Sequence, residues 1–311
     1  MKPIPAIPIP NAMSEPREIP QPPAASLSRR HLLAGLALAG GLAGGLRPAA
    51  AAPKAELWAV WQPHNAASTV QVDHTLWDTL LARHVRVGDD GIARVDYTRF
   101  AGESRAMLQR YLRDLAAVPV ASLDRAEQMA FWINLYNALT VQVIVEHYPV
   151  SKIRDIDISP GWFADGPWGR KLIRIAGQEL SLDDIEHRIL RPIWRDPRIH
   201  YAVNCASLGC PNLQDRAFVA AMLDKQLERA ARQFVNHPRA ASLSQGRLTV
   251  SSIYRWFRED FGDSETGVIS HLRQFADSGL SAALAGVSEI DDDRYDWQLN
   301  DLAVRSDRDA S

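Results

Sequence analysis

The strongest constraint on the fold is the run from Asp124 to Tyr148, which contains neither glycine nor proline and is apolar on most of its sides. Phe131, Leu135, Ala138, Leu139, Val143 and Ile144 fall in one broad stripe at helical spacing, while Trp132, Tyr136, Val141 and Val145 load the other faces. A helix of this kind must be surrounded by protein, so the run predicts a buried central helix over about residues 124–148. Asp124 and Glu127 have capping-box spacing, with the glutamate expected to reach back to the helix start, and Pro149 closes the far end. Asn134 and Asn137 lie one turn apart inside it. A buried amide must find hydrogen bonds, so they either tie the helix to neighbouring backbone or line a site.

Around this helix the sequence predicts shorter elements. Residues 74–85 and 105–116 have helical spacing, and residues 92–97 alternate as a strand after the turn Gly88-Asp89-Asp90-Gly91. Residues 171–175 and 178–180 read as a hairpin about Ala176-Gly177. Ser181 caps a short helix with Asp183 and Asp184 in its first turn, closed by Pro192. Residues 198–203 alternate and predict a strand running into Asn204 and Cys205. Helices are expected over 216–236, 252–261 and 268–275, and strands over 247–250 and near 289–299, with Asp291-Asp292-Asp293 as a solvated turn. Nothing repeats, and strand and helix do not alternate regularly. The fold class is therefore α+β, a mainly helical single domain with a small antiparallel sheet.

The first 52 residues read as a leader. Arg29-Arg30 precede an apolar run of about fourteen residues diluted by glycines, short of the ~20 that a spanning helix needs, and Ala49-Ala50-Ala51-Ala52 supply small residues for cleavage. This order fits a twin-arginine signal peptide, with the twin-arginine export machinery as partner, a periplasmic destination and no stable membrane span after cleavage. Its loss would take five basic and two acidic residues, moving the formal charge from −2 to −5. Residues 53–311 would then form one globular domain with no basic tract to follow a phosphate backbone, which argues against nucleic acid as a partner. Two cysteines, Cys205 and Cys210, cannot scaffold a domain of this size, which must rely on its core.

The candidate chemistry centres on Cys205. A thiol where a strand gives way to a small-residue loop can be partly exposed and held by backbone, as a nucleophile requires. His187 carries Asp183 at i−4 and Asp184 at i−3 and is the candidate base, with His200 as a second candidate and Asn134, Asn137 or Asn204 as oxyanion donors. Two other readings stand beside this one. In one, Cys205 finishes a core stripe with Ile199, Tyr201 and Val203; in the other, it pairs with Cys210 in a local disulfide. In the disulfide case Trp162 and Trp168, on the aromatic loop 161–169, would join the asparagines in a non-catalytic site for a peptide, a sugar or another small molecule. No phosphate loop, nucleophile elbow or histidine pair with metal spacing is present, so no cofactor or metal is expected.

Three segments carry a family resemblance. They are Ala130-Phe131-Trp132-Ile133-Asn134-Leu135-Tyr136-Asn137-Ala138-Leu139, the run from Leu182 to Arg191, and the run from Asp196 to Pro211. In this order, over about residues 120–240, they resemble the family named domain of unknown function 547. The resemblance implies a fold and assigns no activity. A looser similarity is to the papain and transglutaminase-like superfamily, whose members place the nucleophilic cysteine at the start of the central helix. Here the cysteine follows His187, which would imply a permuted site.

Overall fold

The computed structural model describes residues 53–161 and 165–303. The leader and Trp162 lie outside the described residues.

The central helix spans Arg125–His147, and Asp124 caps it by accepting the Glu127 N–H at 2.8 Å. The Glu127 carboxylate does not reach back to the helix start. It accepts the Val72 N–H at 2.7 Å instead, because an incoming loop offers it a buried donor. Eighteen side chains of this helix are buried, so the all-round apolar pattern is met by packing on every side. The helices Thr75–His84 and Arg105–Ala116 form as expected, the second packed beside the central helix and the first packed on the second.

Among the described residues three small sheets flank the helical body. Val85–Val87 pairs antiparallel with Ala93–Val95 around the Gly88–Gly91 turn. The hairpin Ile173–Ile175 with Gln178–Leu180 turns through Ala176 and Gly177, whose φ of 44° and 81° give the left-handed two-residue turn that matches strand twist. Ala241–Ser244 pairs antiparallel with Arg247–Ser251, which takes a parallel third strand, Asp292–Arg294. The aspartate triplet is largely exposed, as expected, but it is no turn: Asp291 accepts the Leu248 N–H at 2.7 Å, and Asp293 pairs with Arg255. The mainly helical α+β class stands. Among the described residues no helix is long and apolar enough to cross a membrane.

Four local expectations are overturned. Residues 198–203 are not a strand: Ile199–Ala202 is a single helical turn, started by Asp196, whose side chain accepts the Arg198 N–H at 2.9 Å, with Pro197 before it. Six alternating residues satisfy a helical turn as easily as a strand, so the alternation carried no decision. Pro192 does not close the preceding helix, whose segment Asp184–Leu190 is π-helical and runs on through Arg191–Trp194. The proline occupies the second position of that last turn, where a missing N–H costs little. The helix expected from residue 216 begins only at Leu223, after an extended stretch whose backbone is clamped elsewhere. The long final strand is reduced to Asp292–Arg294 followed by an irregular segment.

That clamp is Asn134. Its amide accepts the Phe218 N–H at 3.0 Å and donates to the Phe218 carbonyl at 2.7 Å. Asn137 does the same for the loop ahead of Cys205, donating to the Ala202 carbonyl at 2.9 Å and accepting the Asn204 N–H at 2.8 Å. Replacing Asn134 with leucine keeps the volume but strands two buried backbone groups. Urea unfolding of Asn134→Leu is expected to show a loss of about 2–4 kcal/mol, and a loss below ~0.5 kcal/mol would mean that the clamp is dispensable.

Candidate functional site

The Cys205 thiol sits in a loop fixed from three directions. Asn137 holds the Asn204 N–H, the Asn204 side chain accepts the Ala206 N–H at 2.9 Å and donates to the Pro211 carbonyl at 2.7 Å, and Ala206 is left-handed at φ 60°. A non-glycine residue in that region costs of order 1 kcal/mol and persists only where its surroundings impose it. The loop then pairs with the irregular C-terminal segment: Leu208 N–H donates to Gln298 at 2.8 Å, Gly209 N–H to Asp296 at 2.8 Å, and Asn300 N–H to Ala206 at 3.1 Å. Gly209 allows this approach, since a Cβ there would lie 2.7 Å from the Asp296 nitrogen.

This pairing delivers Tyr295. Its hydroxyl lies 3.0 Å from the Cys205 sulfur and 2.7 Å from the Ser207 hydroxyl, which is itself 3.2 Å from the sulfur. Cys205 is partly exposed and Cys210 buried, and both are free thiols. The Cys210 sulfur accepts the Cys205 N–H at 3.1 Å. The Cys205 pKa is lowered, first by hydrogen bonding with Cys210 and then by the Ser207 and Tyr295 hydroxyls, against the opposing effect of burial. Burial and the neighbouring Cys205 push Cys210 well up. Tyr295 is likewise raised, by burial and then by the sulfur charges, and so stays protonated as a donor.

Tyr295 also belongs to an aromatic shelf beside the thiol. Its ring centroid is 4.7 Å from Trp297 and 4.9 Å from Trp256, and Trp168 meets Trp297 edge-on at 6.0 Å. All four rings are half-buried. Arg154 stacks over Trp297 at 4.9 Å.

The two histidines face elsewhere. His200 Nε2 donates to Asp260 at 2.7 Å, and its Nδ1 lies 3.6 Å from Glu186. Burial would lower the His200 pKa, but the two carboxylates outweigh it and raise it. Arg191 binds the same Asp260 at 2.6 Å and reaches Glu259 at 2.6 Å. His187 Nδ1 accepts from Arg191 at 3.1 Å, and Nε2 lies 3.6 Å from Asp183. Its pKa falls to about 4, chiefly through burial, so the ring is neutral at pH 7. Burial, then the like charges of Glu186 and Asp184, raise Asp183 to about 6. Asp184 serves as an anchor, accepting from Ser181, Lys171 and Arg188. Among the described residues no imidazole is hydrogen-bonded to the Cys205 sulfur.

The structure therefore gathers Cys205 with Ser207, Tyr295 and Trp168, and gathers His187, His200 and Asp183 into a separate buried ionic cluster with Glu186, Arg191 and Asp260. Tyr136, on the central helix, lies between the two: its pKa is raised by burial first and then by the charges of Glu186 and Cys205. Sequence reading missed Tyr295, ninety residues from its partner. It also missed Asp260 and Trp297, since no spacing rule links such distant positions.

Residues 120–235 match the model of a family described as a protein of unknown function, DUF547. The match contains the central helix, the π-helical segment and the Cys205 loop. No curated protein and no solved structure matches the chain.

The ionic cluster gives a signed pH dependence. His200, with a raised pKa, contributes its full stabilisation below its ordinary value of 6.5 and loses it as pH rises through the raised value. Burial would raise the Asp260 pKa, but His200 and Arg191 hold it at about 2, so its contribution is complete above 3.8 and lost as pH falls toward 2. Stability from this pair should peak between about pH 4 and 6.5. Urea midpoints measured across pH should fall on both sides of that window, and Asp260→Asn should cost about 3 kcal/mol within it. A flat profile in the wild type would contradict the assignment.

Proposed function

We propose that the chain is an exported thiol-dependent hydrolase or acyltransferase, acting on an amide or ester, with Cys205 as nucleophile. The supporting observation is the partly exposed sulfur flanked by two hydroxyl donors, at 3.0 Å from Tyr295 and 3.2 Å from Ser207, which favour the thiolate. The thiolate would add to the carbonyl carbon while the carbonyl electron pair moves onto oxygen. Collapse of the adduct breaks the C–N or C–O bond and the leaving group takes a proton from Tyr295; water or another nucleophile then attacks the thioester carbonyl, gives a proton back to the Tyr295 oxygen, and releases the acyl group together with the thiolate. The Trp256, Trp297 and Trp168 rings, tilted or edge-on to one another, offer an aromatic wall for the substrate beside the sulfur. In this scheme His187, His200 and Asp183 hold the loop's underside, and Asn134, Asn137 and Asn204 set backbone position.

The rival reading is a non-catalytic peptide- or sugar-binding domain, favoured by the same aromatic shelf. Alkylation separates the two. In native protein without reductant, intact mass should show Cys205 labelled by iodoacetamide at pH 7 about tenfold faster than a model thiol. Tyr295→Phe should slow the labelling several-fold, by roughly the worth of one hydrogen bond to a charged group. His187→Ala should change it less than about twofold. A native Cys205–Cys210 disulfide, or a Cys205 no faster than the model thiol, would remove the catalytic reading.

A further inference from the structure

A cleft of about 740 Å³ opens between the start of helix Thr75–His84 and the stretch that leads through the short turn Ala220–Met222 to Leu223. Its two walls are the backbone segments that the central helix fixes: Glu127 holds Val72, and Asn134 holds Phe218 between the lining residues Ala217 and Val219. Cys205 and its partners are not among the lining residues, so the cleft is independent of the thiol site.

His74 lines the cleft, is only 5% exposed, and precedes the first helical residue. Its Nδ1 lies 2.6 Å from the Tyr111 hydroxyl, and its Nε2 has no hydrogen-bond partner. The tautomer follows from counting donors. If Nδ1–H donated to Tyr111, the tyrosine O–H and the Nε2 lone pair would both be left over, since Tyr111 has no other hydrogen bond among the described residues. If the tyrosine donates to Nδ1, only an Nε2–H is left over. The second arrangement costs less, so the ring presents an unanswered N–H. Burial lowers the ring's pKa to about 4, which keeps that N–H on a neutral imidazole at pH 7.

A group that answers this donor must carry an acceptor oxygen. The helix start adds positive potential at the same place, answered in part by Asp73, whose carboxylate accepts the Thr75 N–H at 2.9 Å, and Arg229 and Arg216 line the cleft, the latter tied to Asp78 at 2.7 Å. Beside them lie Val219 and Met222, 39% and 46% exposed, among the few large apolar side chains left open to solvent. We propose that this cleft is a binding site for a carboxylate that carries an apolar chain, with the carboxylate accepting from His74 Nε2–H near the helix start and the chain resting on Val219 and Met222. A small free acid and a peptide C-terminus share that chemistry.

The test uses the full chain with ¹⁵N-labelled histidine, titrated at pH 7 with hexanoate, with N-acetyl-leucine, and with N-acetyl-leucinamide, which lacks the carboxylate. One or both acids should shift the His74 Nε2–H resonance saturably, and the amide should bind at least about tenfold more weakly, the ratio expected for a hydrogen bond to a charged acceptor. Response to hexanoate alone assigns a small acid, and response to N-acetyl-leucine alone assigns a peptide end. Met222→Ser and Arg229→Gln, both at positions outside the core, should each weaken binding several-fold while leaving Cys205 labelling unchanged. Absence of a saturable shift up to about 20 mM, well beyond the millimolar range of weak specific binding, equal affinity for acid and amide, or no effect of either variant would each overturn the proposal.

Discussion

Irregular backbone buried against a helix has nowhere to send its N–H and C=O groups, and this chain meets that demand with polar side chains on an otherwise apolar central helix. Glu127 accepts from Val72, Asn134 binds both polar groups of Phe218, and Asn137 spans the Ala202 carbonyl and the Asn204 N–H. Each unpaired group would cost about 1–3 kcal/mol in a dry interior. The apolar faces hold the core together, while these three side chains decide where the loops lie. Both candidate sites are built on loops positioned this way, the cleft by Glu127 and Asn134 and the thiol by Asn137.

The thiol loop needs a second constraint from the far end of the chain. The segment after Asp292–Arg294 crosses the molecule without regular structure, giving its hydrogen bonds to the Cys205 loop, to Ser151 and to Val95. Asn300 accepts from the buried Tyr97 hydroxyl at 2.9 Å, and Asp301 from Tyr148 at 2.7 Å. Tyr295 is therefore held against Cys205 by a ladder of backbone contacts on its C-terminal side and by ring packing with Trp256 and Trp297. Beneath lies the ionic cluster, where each charge has a counter-charge: Asp260 and Glu186 against Arg191 and His200. Such a cluster is costly to break and rigid while intact, which suits a platform under a reactive loop.

The long elements were legible because periodicity over several turns is a strong signal. The central helix, the helices over 74–85 and 105–116 and the Ala176-Gly177 hairpin all follow from local pattern and turn chemistry. The short alternation over 198–203 misled because six residues do not distinguish period 2 from 3.6, and Asp196 with Pro197 tipped the backbone into a helical turn. Pro192 misled because a widened π turn absorbs the missing N–H. The cysteine loop and the candidate histidines were visible as residues, but their partners were not. Tyr295, Asp260 and Tyr111 reach their contacts only through the tertiary fold, and sequence separation erases any spacing rule. Asn134 and Asn137 were legible as buried amides in need of partners, and here the partners are backbone.

Two sulfurs five residues apart end in opposite states, and the reason is geometric. Cys210 is enclosed and spends acceptor capacity on the Cys205 N–H, and burial together with the neighbouring Cys205 outweighs the Tyr295 hydroxyl, so its proton is retained. Cys205 lies at the surface of the same loop with two hydroxyls converging on it, so charge there is stabilised. Residue type alone predicts two equivalent thiols; the left-handed Ala206 turn makes them unequal by swinging Ser207 back toward the sulfur that precedes it. A disulfide between them would cancel that asymmetry, since neither sulfur could then carry the charge that the Tyr295 and Ser207 hydroxyls are placed to receive. The two hydroxyls also bond each other at 2.7 Å, so what charge on the Cys205 sulfur adds is an acceptor that both can reach.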